Sequence, residues 1–527
     1  MPRNRFDSRG FDRTARDQTS GGYQGGPDHA SWQWREKRSR SRRSESSWNS
    51  WSCTDSKARV DESRIKITIS SLAGQPLLGP EEMPRSTPVM TLKERLRGSR
   101  PGNAFKILCG TKELRTHHTL ADCHVEPSAS LDLTAVMTKT YAVIAWGDIA
   151  YGGTSPSKAI PALEDGILEL FSSSGAFAAI RESGAVVAWG HPAYGGDLGR
   201  SARHLNSDVT TICAGQNAFV ALKKCGMAVA WGNASLGGRP NYLVARRLFS
   251  GVSGVQSSGE AFAALKETGE VETWGQDVSG GDSSRVRSQL SSGVIKLHST
   301  RGAFAALKQD GSVVTWGNQH CGGDSSTVST ELSSGVRQIF NNVTSFAALK
   351  EHGQVVAWGN QSCGGHLGTS AEKLSRDVIA IYNSGSAFGA VKASGEVVTW
   401  GRQGEPTLAA EVVASGGLCV KGNGHGLAML LKSGEVVMTG NGNEAEFDRV
   451  ASKLKRGVVA LASTQGAFAA LKESGEVVTW GLGAAANFDG HRLQTGARPG
   501  MVAIFGTQGA FAALRDISKD GVLPSDE

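Results

Sequence analysis

From residue 141 to 515 the apolar positions recur with a period of about 42 residues. Trp-Gly pairs begin at Trp146, Trp189, Trp231, Trp274, Trp316, Trp358, Trp400 and Trp480, at spacings of 43, 42, 43, 42, 42, 42 and 80. The long last spacing hides one further unit, in which Val437-Met438-Thr439-Gly440 replaces the tryptophan. A fixed period of this size predicts a solenoid or a propeller. The unit that starts near Gly293 predicts three strands. They are Val294-Ile295-Lys296-Leu297, then Ala303-Phe304-Ala305-Ala306-Leu307-Lys308, then Ser312-Val313-Val314-Thr315-Trp316-Gly317. Gln309-Asp310-Gly311 supplies a short turn, and 318–324 a longer loop to the next unit.

The second strand is apolar on both faces, with Phe304 on one side and Ala303, Ala305 and Leu307 on the other. Such a strand is covered on both faces, as in blades packed radially. The array opens on a lone third strand, Tyr141 to Gly147, and closes on a lone second strand, Gly509 to Arg515. These are complementary halves of one hairpin, and pairing them closes a ring. Counting that shared unit gives nine.

A different pattern fills residues 64–137. Ile65, Ile67 and Ile69 alternate with polar residues, which predicts a half-buried strand. Leu72-Ala73-Gly74 reads as a hairpin turn. Thr87 reads as an N-cap with Pro88 at the first helical position, Val89, Leu92 and Leu96 recur at helical spacing, and Gly98 reads as the stop. Strands follow at 105–110 and 131–136. The predicted fold is therefore mainly β. It comprises a propeller of seven to nine three-stranded blades (141–515), an α+β β-grasp domain (64–137), a disordered tail (1–60) and a short C-terminal tail (516–527).

Charge refines the picture only at the N-terminus. The chain of 527 residues carries a net charge of +7, and residues 1–60 hold +6 of it. That segment is nearly devoid of aliphatic residues and cannot bury enough surface to offset its ordering entropy. Its run Lys37-Arg38-Ser39-Arg40-Ser41-Arg42-Arg43 reads either as a nuclear-import or RNA-contacting signal or as a solubilising tail. Trp32, Trp34, Trp48 and Trp51 accompany it. Cys53, Cys109, Cys123, Cys213, Cys225, Cys321, Cys363 and Cys419 form no Cys-x-x-Cys pair, and we expect free thiols. The polar N-terminus lacks a signal-peptide core and no stretch is long and apolar enough to span a membrane, so a cytoplasmic or nuclear location is expected.

The Trp-Gly and Ala-Phe-Ala-Ala-Leu-Lys units resemble the regulator of chromosome condensation repeat superfamily, whose propellers usually have seven blades. Within 64–137, the stretch from Lys106 to Leu114, then Thr119-Leu120-Ala121-Asp122, Val125 and Ser130 to Leu133 resemble ubiquitin-like domains in order and spacing. The resemblance places that family's apolar recognition patch on Leu72, Leu108 and Thr134, with Asp132 where the family holds a histidine. The chain runs on through Met137-Thr138-Lys139 with no terminal Gly-Gly. The resemblance therefore implies a built-in module, not a conjugated one.

No nucleophile elbow, zinc spacing or dinucleotide loop stands out, and no catalytic residue, metal or cofactor is expected. Lys223, Lys266, Lys308, Lys350, Lys392, Lys432 and Lys472 recur near the end of the second strand. They read either as a basic rim for an acidic partner or as solvated hairpin ends. The expected function is a non-enzymatic interaction scaffold, with the propeller binding a protein and the ubiquitin-like module linking it to ubiquitin or proteasome machinery. The alternatives are a nucleotide-exchange factor for a small GTPase at chromatin, as in the superfamily's founding propeller, or a relative of HECT-type ubiquitin ligases. For the latter, 516–527 leaves no room for a catalytic lobe. Nucleic acid is expected only at the basic tail.

Overall fold

The computed structural model describes residues 64–519 apart from 101, 111, 115–118, 124–129, 154–159, 384–385, 402–418, 424–425, 440–443 and 487–499. All of them belong to one compact unit, Asp61–Glu527.

The first part, among the described residues, is a five-stranded mixed sheet with one α-helix. Its strands are β1 (Arg64–Ser71), β2 (Pro76–Pro84), β3 (Asn103–Cys109), β4 (Lys112–Leu114) and β5 (Leu131–Lys139), in the order β2-β1-β5-β3-β4. Strand β1 runs parallel to β5, and the other pairs are antiparallel. The alternation in β1 buries Ile65, Ile67 and Ile69 against Val89, Leu92 and Leu96 of helix α1 (Val89–Ser99). Two boundaries differ from the sequence expectation. Pro88, in extended backbone, is the N-cap instead of Thr87 and offers no side-chain cap. The helix passes Gly98 and ends at Ser99; the left-handed glycine that redirects the chain is Gly102.

The second part, among the described residues, is a propeller of nine three-stranded antiparallel blades. Blades 1 to 8 span 167–190, 209–232, 252–275, 294–317, 336–359, 378–401, 419–439 and 458–481. Blade 9 is the shared one. Met501–Gly506 pairs with Ala510–Arg515, which pairs with β6 (Ala142–Gly147) from the start of the array, Phe511 facing Trp146. The expected closure is therefore present, and nine units form nine blades. First strands neighbour one another from blade 1 to 6, from 7 to 9, and from 9 back to 1. The first strand is therefore innermost and the Trp-Gly strand outermost.

The repeat residues explain the packing. Phe304 lies directly across from Trp316 in the sheet, their rings stacked 5.2 Å apart. The same pair recurs from Phe177 and Trp189 through Phe388 and Trp400, and again at Phe468 and Trp480. Each stack adds about 0.5–1.5 kcal/mol beyond area burial. The second-strand alanines are fully buried and let adjacent blades approach.

Blades are also latched to each other. Trp189, Trp231, Trp274, Trp316, Trp358 and Trp400 each donate Nε1–H to the carbonyl of a glycine in the preceding blade's loop. Those acceptors, Gly152, Gly195, Gly237, Gly280, Gly322 and Gly364, have φ near +90° and open Gly-Gly pairs. The second glycine sits against the blade's own Trp-Gly turn: a Cβ on Gly281 would lie 2.5 Å from the Gly275 carbonyl.

Candidate functional site

The two ends of the blades do different things. At one end, second-strand lysines reach into the connector that precedes their blade. Lys223 donates to the His204 carbonyl, Lys266 to Arg247 and Ser250, Lys350 to Glu331, and Lys392 to Lys373. The Lys308 and Lys472 stems run beside Gly293 and Gly457, the left-handed glycines before the first strands of their own blades. The four bonded ammonium groups tie their blades to the connectors that precede them. Lys432 departs from the series. Leu431 makes the turn bonds that Lys472 makes in blade 8, so Lys432 sits one position later and is exposed.

The α+β domain docks at this end. Arg97 of α1 pairs with Glu182 and Asp165 of the blade 1 region. Lys139 donates to the buried Asp516 carboxylate, 3.1 Å away, just past blade 9. Of the expected patch, Leu108 and Thr134 are cross-strand partners, with Ser70 on the other side of Thr134. Leu72, two residues further, is 73% exposed. Asp132 is exposed on the same strand. The structure thus brings Leu108 and Thr134 together and puts Leu72 beside the end of β1. Lys37, Arg38, Arg40, Arg42 and Arg43 lie outside the described residues.

The opposite end holds the axial mouth. After the first strands of blades 1 to 5, 8 and 9 the chain turns through two residues that, Val343 apart, are small or polar. The first of them is a structural clasp. The hydroxyls of Ser173, Ser258, Thr300 and Thr507 donate to Tyr194, Ser279, Cys321 and Tyr151 carbonyls in the Gly-Gly loops. The second forms a belt around the axis. Gln465 N–H donates to Gln508 O, Gln508 to Ser174, Ser174 to Gln216 and Gln216 to Gly259, at 2.7–2.9 Å, and Arg301 to Val343 at 2.8 Å. The bond from Gln508 to Ser174 crosses from blade 9 to blade 1, so the ring is joined at the mouth as well as at β6.

Two adjoining cavities occupy the mouth. One, of about 540 Å³, is lined by the belt and its neighbours from blades 8, 9, 1, 2 and 3, and no lining side chain is ionisable. The other, of about 560 Å³, spans blades 3 to 6 and has one charge, Arg301. Glu260, next along the turn, accepts from Ser279 instead. The side-chain amides of Gln216, Gln465 and Gln508 make no hydrogen bond among the described residues. Each offers two donors and an acceptor to a ligand. Below the mouth, burial and the Lys296 charge hold His298 down to about 4, so its imidazole is neutral at physiological pH.

Cys109, Cys123, Cys213, Cys225, Cys321 and Cys363 are free thiols. Burial pushes Cys213 up to about 12, which makes it unreactive. Among the described residues no group of three or more His, Cys, Asp or Glu could hold a metal, and no helix is long and apolar enough to cross a membrane.

No protein-family model and no curated protein matches the chain. Solved structures do. Prp20p from Saccharomyces cerevisiae, described with its binding to Gsp1p and histones, is 14% identical, with a TM-score of 0.33, over 72% of this chain and 92% of that one. Human WBSCR16 is 15% identical, with a TM-score of 0.33, over 71% and 99%. The ectodomain of the Physcomitrella patens receptor kinase CR4 is 12% identical, with a TM-score of 0.30, over 52% and 73%. At these values the blade count and closure rest on the sheet pairings above.

Proposed function

We propose that this protein is a non-enzymatic interaction scaffold whose axial mouth recognises a protein partner. The neutral, hydrogen-bonding belt of Ser174, Gln216, Gln465 and Gln508 carries this reading. Acid–base or nucleophilic chemistry needs ionisable groups in mutual reach. Peptide recognition needs what the belt has: uncommitted donors and acceptors on a rigid frame. Lys223, Lys266, Lys350 and Lys392 are engaged with connector carbonyls, which favours the mouth over the basic rim.

The α+β domain is the scaffold's second element. Its single helix across a five-stranded sheet, and the pairing of Leu108 with Thr134 beside the exposed Leu72, support a ubiquitin-like module. Its solvent face would connect the bound partner to ubiquitin or proteasome machinery. The docking through Arg97 and Lys139 fits a built-in module.

Site-specific photo-crosslinking from position 508 in cells tests the mouth, with position 246 on an outer connector as control. A partner captured from 508 and not from 246 supports the reading; capture only from 246 overturns it. If the captured protein is a small GTPase and the purified chain accelerates its nucleotide release, the exchange reading replaces the scaffold reading. Loss of ubiquitin-pathway proteins from the captured complex on Leu72→Asp would support the second element.

A further inference from the structure

The axial channel below the mouth is electrostatically one-sided. Side chains exposed on the innermost strands border it, because the first strands stand side by side around the axis and pack outward on the second strands of their own and the preceding blade. Blades 4, 5 and 7 contribute Lys296, Arg337 and Lys421, all exposed, and Arg301 stands above them at the mouth. None of these four forms an ion pair among the described residues. Across the axis one carboxylate, Glu169 of blade 1, is the only acidic residue on the described first strands. Three strand cations therefore face one strand anion in a recess, where low-dielectric walls concentrate the field.

We propose that this channel takes an acidic, carboxylate-bearing peptide segment of the partner protein, threaded past Arg301 onto Lys296, Arg337 and Lys421. The inference rests on the mouth being the recognition face and names the chemistry of what enters it. Peptide fits better than a phosphate polyanion for two reasons. The cations are spread over three blades and two depths, whereas a phosphate is gripped by groups converging on one point. Beside Arg337 lies the exposed amide of Gln338, which offers both a donor and an acceptor to a peptide's N–H and C=O. A phosphate offers acceptors only. Exposed Ile295 and Ile379, on the strands of blades 4 and 6, add apolar contact between the charges.

The test is fluorescence anisotropy with the full chain and a fluorescein-labelled decaglutamate peptide. Decalysine, inositol hexakisphosphate and a single-stranded oligonucleotide serve as comparison probes. The double variant Lys296→Glu/Arg337→Glu is expected to weaken decaglutamate binding at least ~10-fold, and Lys296→Gln/Arg337→Gln by a smaller factor in the same direction. Lys37→Glu/Arg38→Glu in the tail should leave it unchanged. The glutamine pair, checked by its thermal transition, guards against misfolding of the reversal. Affinity unchanged by both channel pairs, or lost with the tail pair, overturns the proposal. So does tighter, channel-dependent binding of inositol hexakisphosphate or the oligonucleotide. If decaglutamate fails while crosslinking from position 508 still captures a partner, this inference falls and the mouth reading stands.

Discussion

Trp316 Nε1 donates to the carbonyl of Gly280, 3.0 Å away in the loop of the preceding blade. The bond joins residues 36 apart and has counterparts at five other tryptophans. Trp316→Phe keeps the stack on Phe304 but leaves the buried carbonyl without its donor, and should cost about 1–3 kcal/mol. Trp316→Ala removes the stack too, and should cost about 3–5 kcal/mol. Urea unfolding of the two variants beside the wild type measures the difference.

Gly281 and Gly254 form a matched pair. A Cβ on Gly281 meets fixed backbone at 2.5 Å, whereas one on Gly254 meets nothing within 4 Å. Gly281→Ala should therefore lower stability by at least ~1–3 kcal/mol. Gly254→Ala should be neutral or stabilise by up to ~1 kcal/mol through the unfolded chain. Thermal melts of the two separate a packing requirement from a general glycine effect.

Asp516 ties the ring closure to the α+β domain. Burial pushes its carboxyl up, but hydrogen bonds from Ser518 and Lys139 and the Lys139 charge outweigh this and set it below the usual carboxylate range. A depressed carboxylate stabilises the fold above its unfolded value, near ~3.9, and loses that contribution as pH falls through the folded value. Asp516→Asn should therefore destabilise the protein at pH 7, and the gap to wild type should close below about pH 4. Melting temperatures across that range read both.

His298 works in the opposite sense. Its neutral form is favoured in the fold, held down to about 4 by burial and Lys296. The unfolded chain takes up a proton near ~6.5, so stability is lost as pH falls from there towards the folded value. His298→Gln should lose less stability than wild type between pH 7 and 4.5, by an amount on the order of 1–3 kcal/mol. Denaturant midpoints at the two pH values give the comparison.

The repeat was legible in the sequence because Phe304 and Trp316 sit in adjacent strands of one hairpin, where alternation and period reveal them. Closure was legible because 141–147 and 509–515 are recognisable halves. Contacts between units were not. The connector leucines Leu205, Leu248, Leu290, Leu332 and Leu374 are essentially fully buried, and their carbonyls cap the first N–H of the outer strand in the same blade. They recur 16 or 17 residues after each Trp, a signal that Ser-rich surroundings conceal. Gly-Gly and Trp also fail together. No Gly-Gly lies six residues after Trp400, and blade 7 has Thr439 where the Trp would be. The mouth was missed for a simpler reason. Serine and glutamine in turns carry no motif, and only closure sets Gln508 beside Ser174.

That juxtaposition depends on blade 9 being built from both ends of the array. Ala145 and Ala512 are direct cross-strand partners there, within the Cα separation that a disulfide bridges. The decisive measurement is mass-spectrometric mapping of Ala145→Cys/Ala512→Cys under mild oxidation. The account predicts an intramolecular 145–512 disulfide in the monomer and a raised unfolding midpoint. Absence of that bridge in the folded chain, or pairing of position 145 with a cysteine in another blade, would contradict the closed nine-bladed ring and the mouth it creates.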